Sequence, residues 1–292
     1  MIAWLRARSL GGKVILRTED LDHPKDKPGA AAAAIEDLKW LGFDWDGEYV
    51  QSERKAIYRS ATEYLAAKGL IYPCVCSRRD VEAAQSAPHA GEQLYYPGTC
   101  RGRFATWAEA AAVRPLPCWR FRVDAGPRVE FEDVFAGPNS SDVAASLGDF
   151  PVARDEGGAG YTLAVVVDDI LSGVTEVVRG DDLLAATPAQ ILLARALAPW
   201  FESRGARAYV PRYLHVPLVT GPDGRRLAKR HGDSRISFYR ESGVAPGEII
   251  GLLAASCGWA AEGERVALRE LLPRFDLARI PHAPFVFTSR LR

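Results

Sequence analysis

The sequence predicts an α/β protein in which a parallel sheet, covered by helices, carries one small inserted unit. Apolar strands alternate with helix-forming runs near the start and again beyond Gly148, the pattern of parallel strands joined by helical crossovers. Between Ile71 and about Glu130 that pattern gives way to cysteines, a Gly/Pro-rich loop and an alternating WRFRV segment, which predicts an insertion with its own small fold. A further regularity hints at where a ligand sits: three sheet segments (VILRTEDLD, TEVVRGDD, and YLHVPLV with the RRLAKR that follows) each run from apolar residues into charge. In open parallel sheets ligands bind beyond the C-terminal ends of the strands.

The elements follow in order. IAWLRARSLGG reads as the end of an amphipathic helix stopped by Gly11-Gly12, and Lys13–Leu16 as a strand. After Pro28-Gly29, AAAAAIEDLKWL is rich in the best helix former and ends at Gly42. Ser52 is placed to cap a helix reaching Lys68, closed by Gly69. The parallel-sheet pattern resumes after the insertion with TLAVVVDDI, apolar on most sides and therefore buried. TEVVRGDD is read as a strand, Thr187–Leu197 as a helix and YLHVPLV as another strand before a GPDG turn. From about Ser234 short helices alternate with Gly and Pro breaks. The expected division is 1–70 with 131–233 as the main domain, 71–130 as the insertion and 234–292 as a helical C-terminal part.

The totals narrow the class. With 292 residues the chain can bury a sizeable core. Lys plus Arg equals Asp plus Glu at 37 each, which excludes a bulk electrostatic grip on nucleic acid and leaves room for a local basic face. No apolar run approaches a membrane span and no secretory leader is visible. Five unevenly spread cysteines do not suit a secreted disulfide scaffold. The expected compartment is the cytoplasm.

RTEDLDHPK, PGAAAAAIEDLKWLGFDWDG, QSERKAIY, YTLAVVVDDILSGVTEVVRGDDLLAATPAQ and the late RLAKRHGD together closely resemble, in the same order, the catalytic domain of glutamyl-tRNA synthetases. The likeness runs over almost the whole chain and is strongest to the family's short paralogues, which attach glutamate to the queuosine base of tRNA(Asp). There is no room for the anticodon-binding helical domain of the full synthetase, and the cysteine-bearing insertion matches the paralogues. The resemblance implies a class I synthetase core, a Rossmann-like doubly wound parallel sheet, with an inserted zinc-binding subdomain facing the RNA acceptor. It also implies activation of glutamate by ATP with Mg2+, transfer to RNA, and tRNA(Asp) carrying queuosine as partner. A monomer without membrane attachment is expected. By match to the family's motifs, Glu19 receives the substrate ammonium, Tyr161 hydrogen-bonds its carboxylate end, Arg179 pairs with a carboxylate, and Lys229 stabilises charge on the phosphates of ATP.

Cys74, Cys76 and Cys100 offer three thiolates for a tetrahedral zinc site. His89 and Tyr96 both lie between them as possible fourth ligands, imidazole being the commoner on general chemistry. YPGTC (Tyr96 to Cys100) matches the paralogue segment in which the tyrosine oxygen completes the site, so the resemblance favours Tyr96. Cys118 and Cys257 sit in apolar settings and read as core.

The family's HIGH-type tetrapeptide lies upstream of the AWLRAR helix, and no equivalent occurs elsewhere in the sequence; His231-Gly232 falls in the wrong element. The expectation is that roughly 20–25 residues precede Met1 and that the chain without them is inert. Smaller departures are Thr18 for an aliphatic residue, Ala228 for a hydroxyl residue of the lysine loop, and Ala189 where the family has Arg, read as the loss of a basic contact. Two alternatives stand beside the leading reading: a truncated glutamyl-tRNA synthetase charging tRNA(Glu), and an inactive remnant.

Overall fold

The computed structural model describes residues 1–21, 29–83, 94–114, 116–126, 128–154, 158–227 and 235–288. Helix α1 (Ile2–Ser9) ends at Gly11, whose φ of 68° is the left-handed geometry that glycine adopts without strain. Strand β1 is Ile15–Thr18, two residues beyond the expected Lys13–Leu16. Pairing decides the shift, because parallel register with β2 (Gly47–Val50) sets Arg17 opposite Tyr49 and Thr18 opposite Val50. The crossover between them is α2 (Ala30–Trp40), followed by Gly42 at positive φ as the sequence implied. Ser52 does not cap a helix. A 3-10 turn over Gln51–Arg54 precedes α3 (Lys55–Ala67), and the Ser52 N–H donates to Asp20 Oδ1 at 2.8 Å.

The insertion contributes β3 (Ile71–Cys74), α4 (Arg78–Ala83), α5 (Trp107–Val113) and β4 (Cys118–Phe121). Then come β5 (Val129–Asp133), β6 (Gly137–Ser141), α6 (Val143–Ser146) and β7 (Phe150–Ala153). The expected limit at residue 130 falls inside β5. Strand β7 also returns to pair antiparallel with β4, making a three-stranded sheet in the order β3-β4-β7.

The chain continues through α7 (Tyr161–Leu171), β8 (Glu176–Gly180), α8 (Thr187–Ala196), α9 (Ala198–Glu202), β9 (Arg212–Val216) and β10 (Val219–Thr220). It closes with α10 (Ile236–Glu241), α11 (Pro246–Ser256) and β11 (Phe285–Val286). TLAVVVDDI, read within the parallel-sheet pattern, is a helix buried on nearly every side. Periodicity cannot separate a strand from a helix when all faces are apolar. Pro217 divides the expected YLHVPLV strand in two, since proline has no N–H for the ladder.

The main sheet has the order β6-β5-β9-β8, with β5, β9 and β8 parallel. Its two faces are covered by different cores. On β9, Tyr213 packs into a core built largely from α3, α7 and α8, while Leu214 and Val216 pack into one built from α1, α11 and the 3-10 turn over Leu268–Arg274. Each fully buried aliphatic residue contributes about 1.5–3 kcal/mol, so β9 ties both layers together. Strand alternation then places His215 on the Tyr213 side, and on β8 puts Arg179 on the side of Val177, towards α8. Among the described residues no helix is long and apolar enough to cross a membrane.

Candidate active site and thiol cluster

Arg179 sits at the C-terminal end of β8, as the alternation of charge after apolar residues implied. Its Nε donates to His215 Nε2 at 2.9 Å, and its Nη2 donates to Thr187 Oγ1 at 2.7 Å and Gln190 Oε1 at 2.8 Å. All three acceptors are neutral and buried, and no carboxylate among the described residues forms an ion pair with Arg179. Behind His215, Nδ1 meets Asp133 Oδ2 at 2.6 Å, both side chains being fully buried. Burial alone would raise the Asp133 carboxyl, but the N–H groups of Ala136, Phe135 and His215 and the imidazole hold it below its usual value. His215 is lowered, by burial first and by the Arg179 charge, against the opposing pull of Asp133.

A second group of charges comes from β1 and the residue after it. Arg17 Nη1 donates to Asp169 Oδ1 at 2.5 Å, and its Nε donates to Glu19 Oε1 at 3.1 Å. Burial raises the Asp169 carboxyl despite Arg17, whereas Arg17 is raised because Asp169 outweighs its own desolvation. The pair therefore acts as a part-buried strut from which Glu19, half-exposed, projects. Tyr161 opens α7 beside both groups. Its hydroxyl is pushed up by burial, lowered by Arg179 and Arg17 and raised by Glu19, so these three charges surround it. Glu19, Tyr161 and Arg179 thus share one rim; Lys229 lies outside the described residues. Ala189, which stands where the motif has Arg, is buried in the core shared by α3, α7 and α8.

One residue along from the strut, Asp168 is fully buried. It accepts from Gln51 Nε2 at 2.9 Å, Arg54 Nε at 2.8 Å and the Tyr58 hydroxyl at 2.8 Å. It fastens the QSERKAIY segment to α7, and explains why the residues after Ser52 turn tightly before the helix begins.

The thiols of Cys74, Cys76 and Cys100 lie within 4.8 Å of one another. Cys76 and Cys100 are 3.6 Å apart, and the Tyr96 oxygen is 3.2 Å from Cys74 and 3.6 Å from Cys76. A tetrahedral ion with metal–sulfur bonds of ~2.3 Å and a metal–oxygen bond of ~2.0 Å needs sulfurs ~3.8 Å apart and an oxygen ~3.5 Å from each. The four donors fit it. The Cys100 N–H donates to the Tyr96 oxygen at 2.9 Å, and Gly148, at positive φ, lets the chain pass where a Cβ would strike the Tyr96 carbonyl. His89, the other candidate fourth ligand, lies outside the described residues. Cys118 is not simply core: opposite Cys74 across β3–β4, it hydrogen-bonds that thiol. This bond, with Arg120 nearby, draws Cys74 down to about 4, while burial and the Cys74 charge push Cys76 up to about 12. Arg120 is buried, donates to Cys74 Sγ at 3.2 Å and lies over the Tyr96 ring at 3.8 Å. A divalent cation held by these groups would favour their anionic forms.

Sequence reasoning missed His215, Asp133, Thr187, Gln190, Asp169 and Arg120. Thr187 and Gln190 lie in the quoted TPAQ segment at helical spacing for one face, which was a usable signal. Arg120 alternates with aromatics in WRFRV, a pattern that ordinarily points a charge to solvent.

Charged strand ends of both signs gathered around Tyr161, together with a thiol cluster in an inserted sheet, describe a class of protein. The chain matches the family described as "tRNA synthetases class I (E and Q), catalytic domain" over residues 1–288 and belongs to it. Among curated proteins it is 46% identical to the glutamyl-Q tRNA(Asp) synthetase of Symbiobacterium thermophilum, covering 97% of this chain and 88% of that one. It is 44% identical to the protein of that name from Rhodopirellula baltica, covering 98% and 90%. Among solved structures it is similar to a glutamate tRNA ligase from Elizabethkingia meningosepticum in complex with its amino acid, with a TM-score of 0.74 and 25% identity. That alignment covers 98% of this chain and 62% of the other, so the chain spans less than two thirds of that ligase.

Proposed function

We propose that this protein activates glutamate with ATP and transfers it to the queuosine base of tRNA(Asp), as the names of its relatives from S. thermophilum and R. baltica suggest. In the first step a glutamate carboxylate oxygen attacks the α-phosphorus and pyrophosphate leaves. In the second the acyl group passes to a nucleophile on the modified base and AMP leaves. The protein's part is positioning and charge stabilisation. Glu19 takes the substrate ammonium, Arg179 a carboxylate and Tyr161 the carboxylate end, while Lys229 takes the phosphates. What supports this most directly is the charge state of the rim: Arg179 is hydrogen-bonded by neutral acceptors only and keeps its charge for an incoming anion, 36 residues from His215 in sequence yet beside it in space.

Cys74, Cys76, Tyr96 and Cys100 would hold a structural zinc ion, which supplies cross-linking of the 71–130 insertion where it faces the RNA. In this reading residues 1–70 and 131–233 activate the amino acid and 234–292 form the C-terminal part of a cytoplasmic monomer. The test is glutamate-dependent ATP–pyrophosphate exchange, followed by transfer of labelled glutamate to tRNA(Asp) with and without queuosine. Transfer that requires queuosine supports the reading. Transfer to tRNA(Glu) instead would establish the alternative substrate, and absence of exchange would make this chain the inactive remnant and overturn the reading.

A further inference from the structure

Arg17 and Arg179 both act on Tyr161, and they are held by opposite kinds of partner. Arg17 is bonded to two carboxylates, those of Asp169 and Glu19. Arg179 is bonded to an imidazole nitrogen, a hydroxyl and an amide oxygen. A guanidinium has donors only, so the His215 nitrogen facing it must accept, and the ring proton must sit on Nδ1, where Asp133 receives it at 2.6 Å. Had a carboxylate stood in the place of His215, the orientation of Arg179 could be the same but its charge would be matched before any substrate arrived. Interposing an imidazole passes the rigidity of a buried acid to the arginine while keeping the negative charge one ring away.

We propose that His215, donating through Nδ1 to Asp133 and accepting through Nε2 from Arg179, is the positioning residue that aims Arg179 at the substrate carboxylate and keeps it unneutralised. This rests on the reading of Arg179 as a glutamate-binding group. The other groups around His215 agree with it. The Tyr213 ring stacks on the imidazole at 6.0 Å, Thr187 Oγ1 lies 3.2 Å from Nε2, and Asp181 is a further acid that acts on it. None competes with Arg179 as a cation for Nε2, and a protonated ring would turn a donor against the Arg179 Nε–H.

Two substitutions divide the functions of the ring. In His215→Asn the amide nitrogen takes the place of Nδ1 and satisfies Asp133, but nothing accepts from Arg179. In His215→Gln the amide oxygen takes the place of Nε2 and accepts from Arg179, while Asp133 keeps its three backbone donors. Binding of L-glutamate to the full chain, measured by calorimetry, should weaken about 10–100-fold in Arg179→Gln, the loss of a charge-assisted contact. It should weaken about 5–20-fold in His215→Asn, and recover most of that loss in His215→Gln, with ATP affinity the same in all four proteins. Equal weakening in both His215 variants would make the residue a packing element and overturn the proposal, as would undiminished binding in His215→Asn when Arg179→Gln is weakened. Undiminished binding in Arg179→Gln, or no glutamate binding by the unsubstituted chain, would instead remove the reading of the pocket itself. Thermal melts of each variant identify any that fail to fold, and Thr187→Val, which removes a second neutral acceptor from Arg179, then takes its place with the same expected loss.

Discussion

The thiol cluster and the rim around Tyr161 solve the problem of holding charge by different routes. The cluster draws its donors from two short stretches, Cys74 to Cys76 and Tyr96 to Cys100, and one buried strand residue, Arg120, balances them. The rim is assembled from distant parts: Arg17 reaches Asp169 across 152 residues, Arg179 reaches His215 across 36 and His215 reaches Asp133 across 82. A site of the first kind can be bound together by one ion. A site of the second kind depends on the sheet and α7 being in place. The difference teaches that damage to the scaffold should blunt the rim while leaving the cluster's chemistry intact, and the converse.

Asp168 offers the strongest way to break that comparison. It is the shared acceptor of Gln51, Arg54 and Tyr58, and Asp168→Ala strands three donors at a buried point, with an expected cost of about 3–5 kcal/mol in urea unfolding. Glutamate binding should fall with it, because Asp169 and Tyr161 share its helix, while metal affinity per folded molecule stays unchanged. A smaller effect is expected from the other side. Arg120→Gln removes the cation beside Cys74 and Tyr96, and groups that orient or balance metal ligands typically contribute 10–100-fold to affinity, or about 1.4–2.7 kcal/mol. Competition with a chromophoric chelator for zinc measures this, and glutamate affinity should not move.

The smallest effect is one of pH. The His215 imidazole lies below its ordinary value of 6.5 in the folded chain, so the unfolded chain takes up its proton first as pH falls. Its contribution to stability is complete above 6.5 and is lost as pH drops from there towards the folded value. Unfolding midpoints measured down through that window should fall more steeply for the unsubstituted chain than for His215→Gln. Parallel profiles would show that the imidazole is not buried as a neutral acceptor.

How much of this could be read in advance follows the same division. The Cys-x-Cys pair and the YPGTC segment are local, and their spacing alone raised a metal site with Tyr96 or His89 as fourth donor. Glu19, Tyr161 and Arg179 were placed through motif likeness, and the structure brings them to one rim. Their supports were invisible because a hydrogen bond across 82 or 152 residues leaves no trace in a local pattern. Helix α7 was identified as buried without its conformation being settled, for uniform burial erases the period that distinguishes helix from strand. The start of α3 was misplaced because Ser52 has the chemistry of a cap, yet the acceptor that organises that turn, Asp168, stands far along the chain.

Strand β7 has a practical corollary. Its register with β4, Trp119 opposite Ala153 and Phe121 opposite Phe150, means that the cysteine-bearing sheet borrows its outer edge from chain that has already begun its return to the main sheet. A chimaera that exchanged only residues 71–130 between two such proteins would splice through β5 and leave β4 with a foreign neighbour. The smallest transplantable cassette extends through Ala153, and it carries with it β6 and the Asp133 that stands behind His215. The thiol cluster and the support of Arg179 are in this way carried by a single stretch of chain.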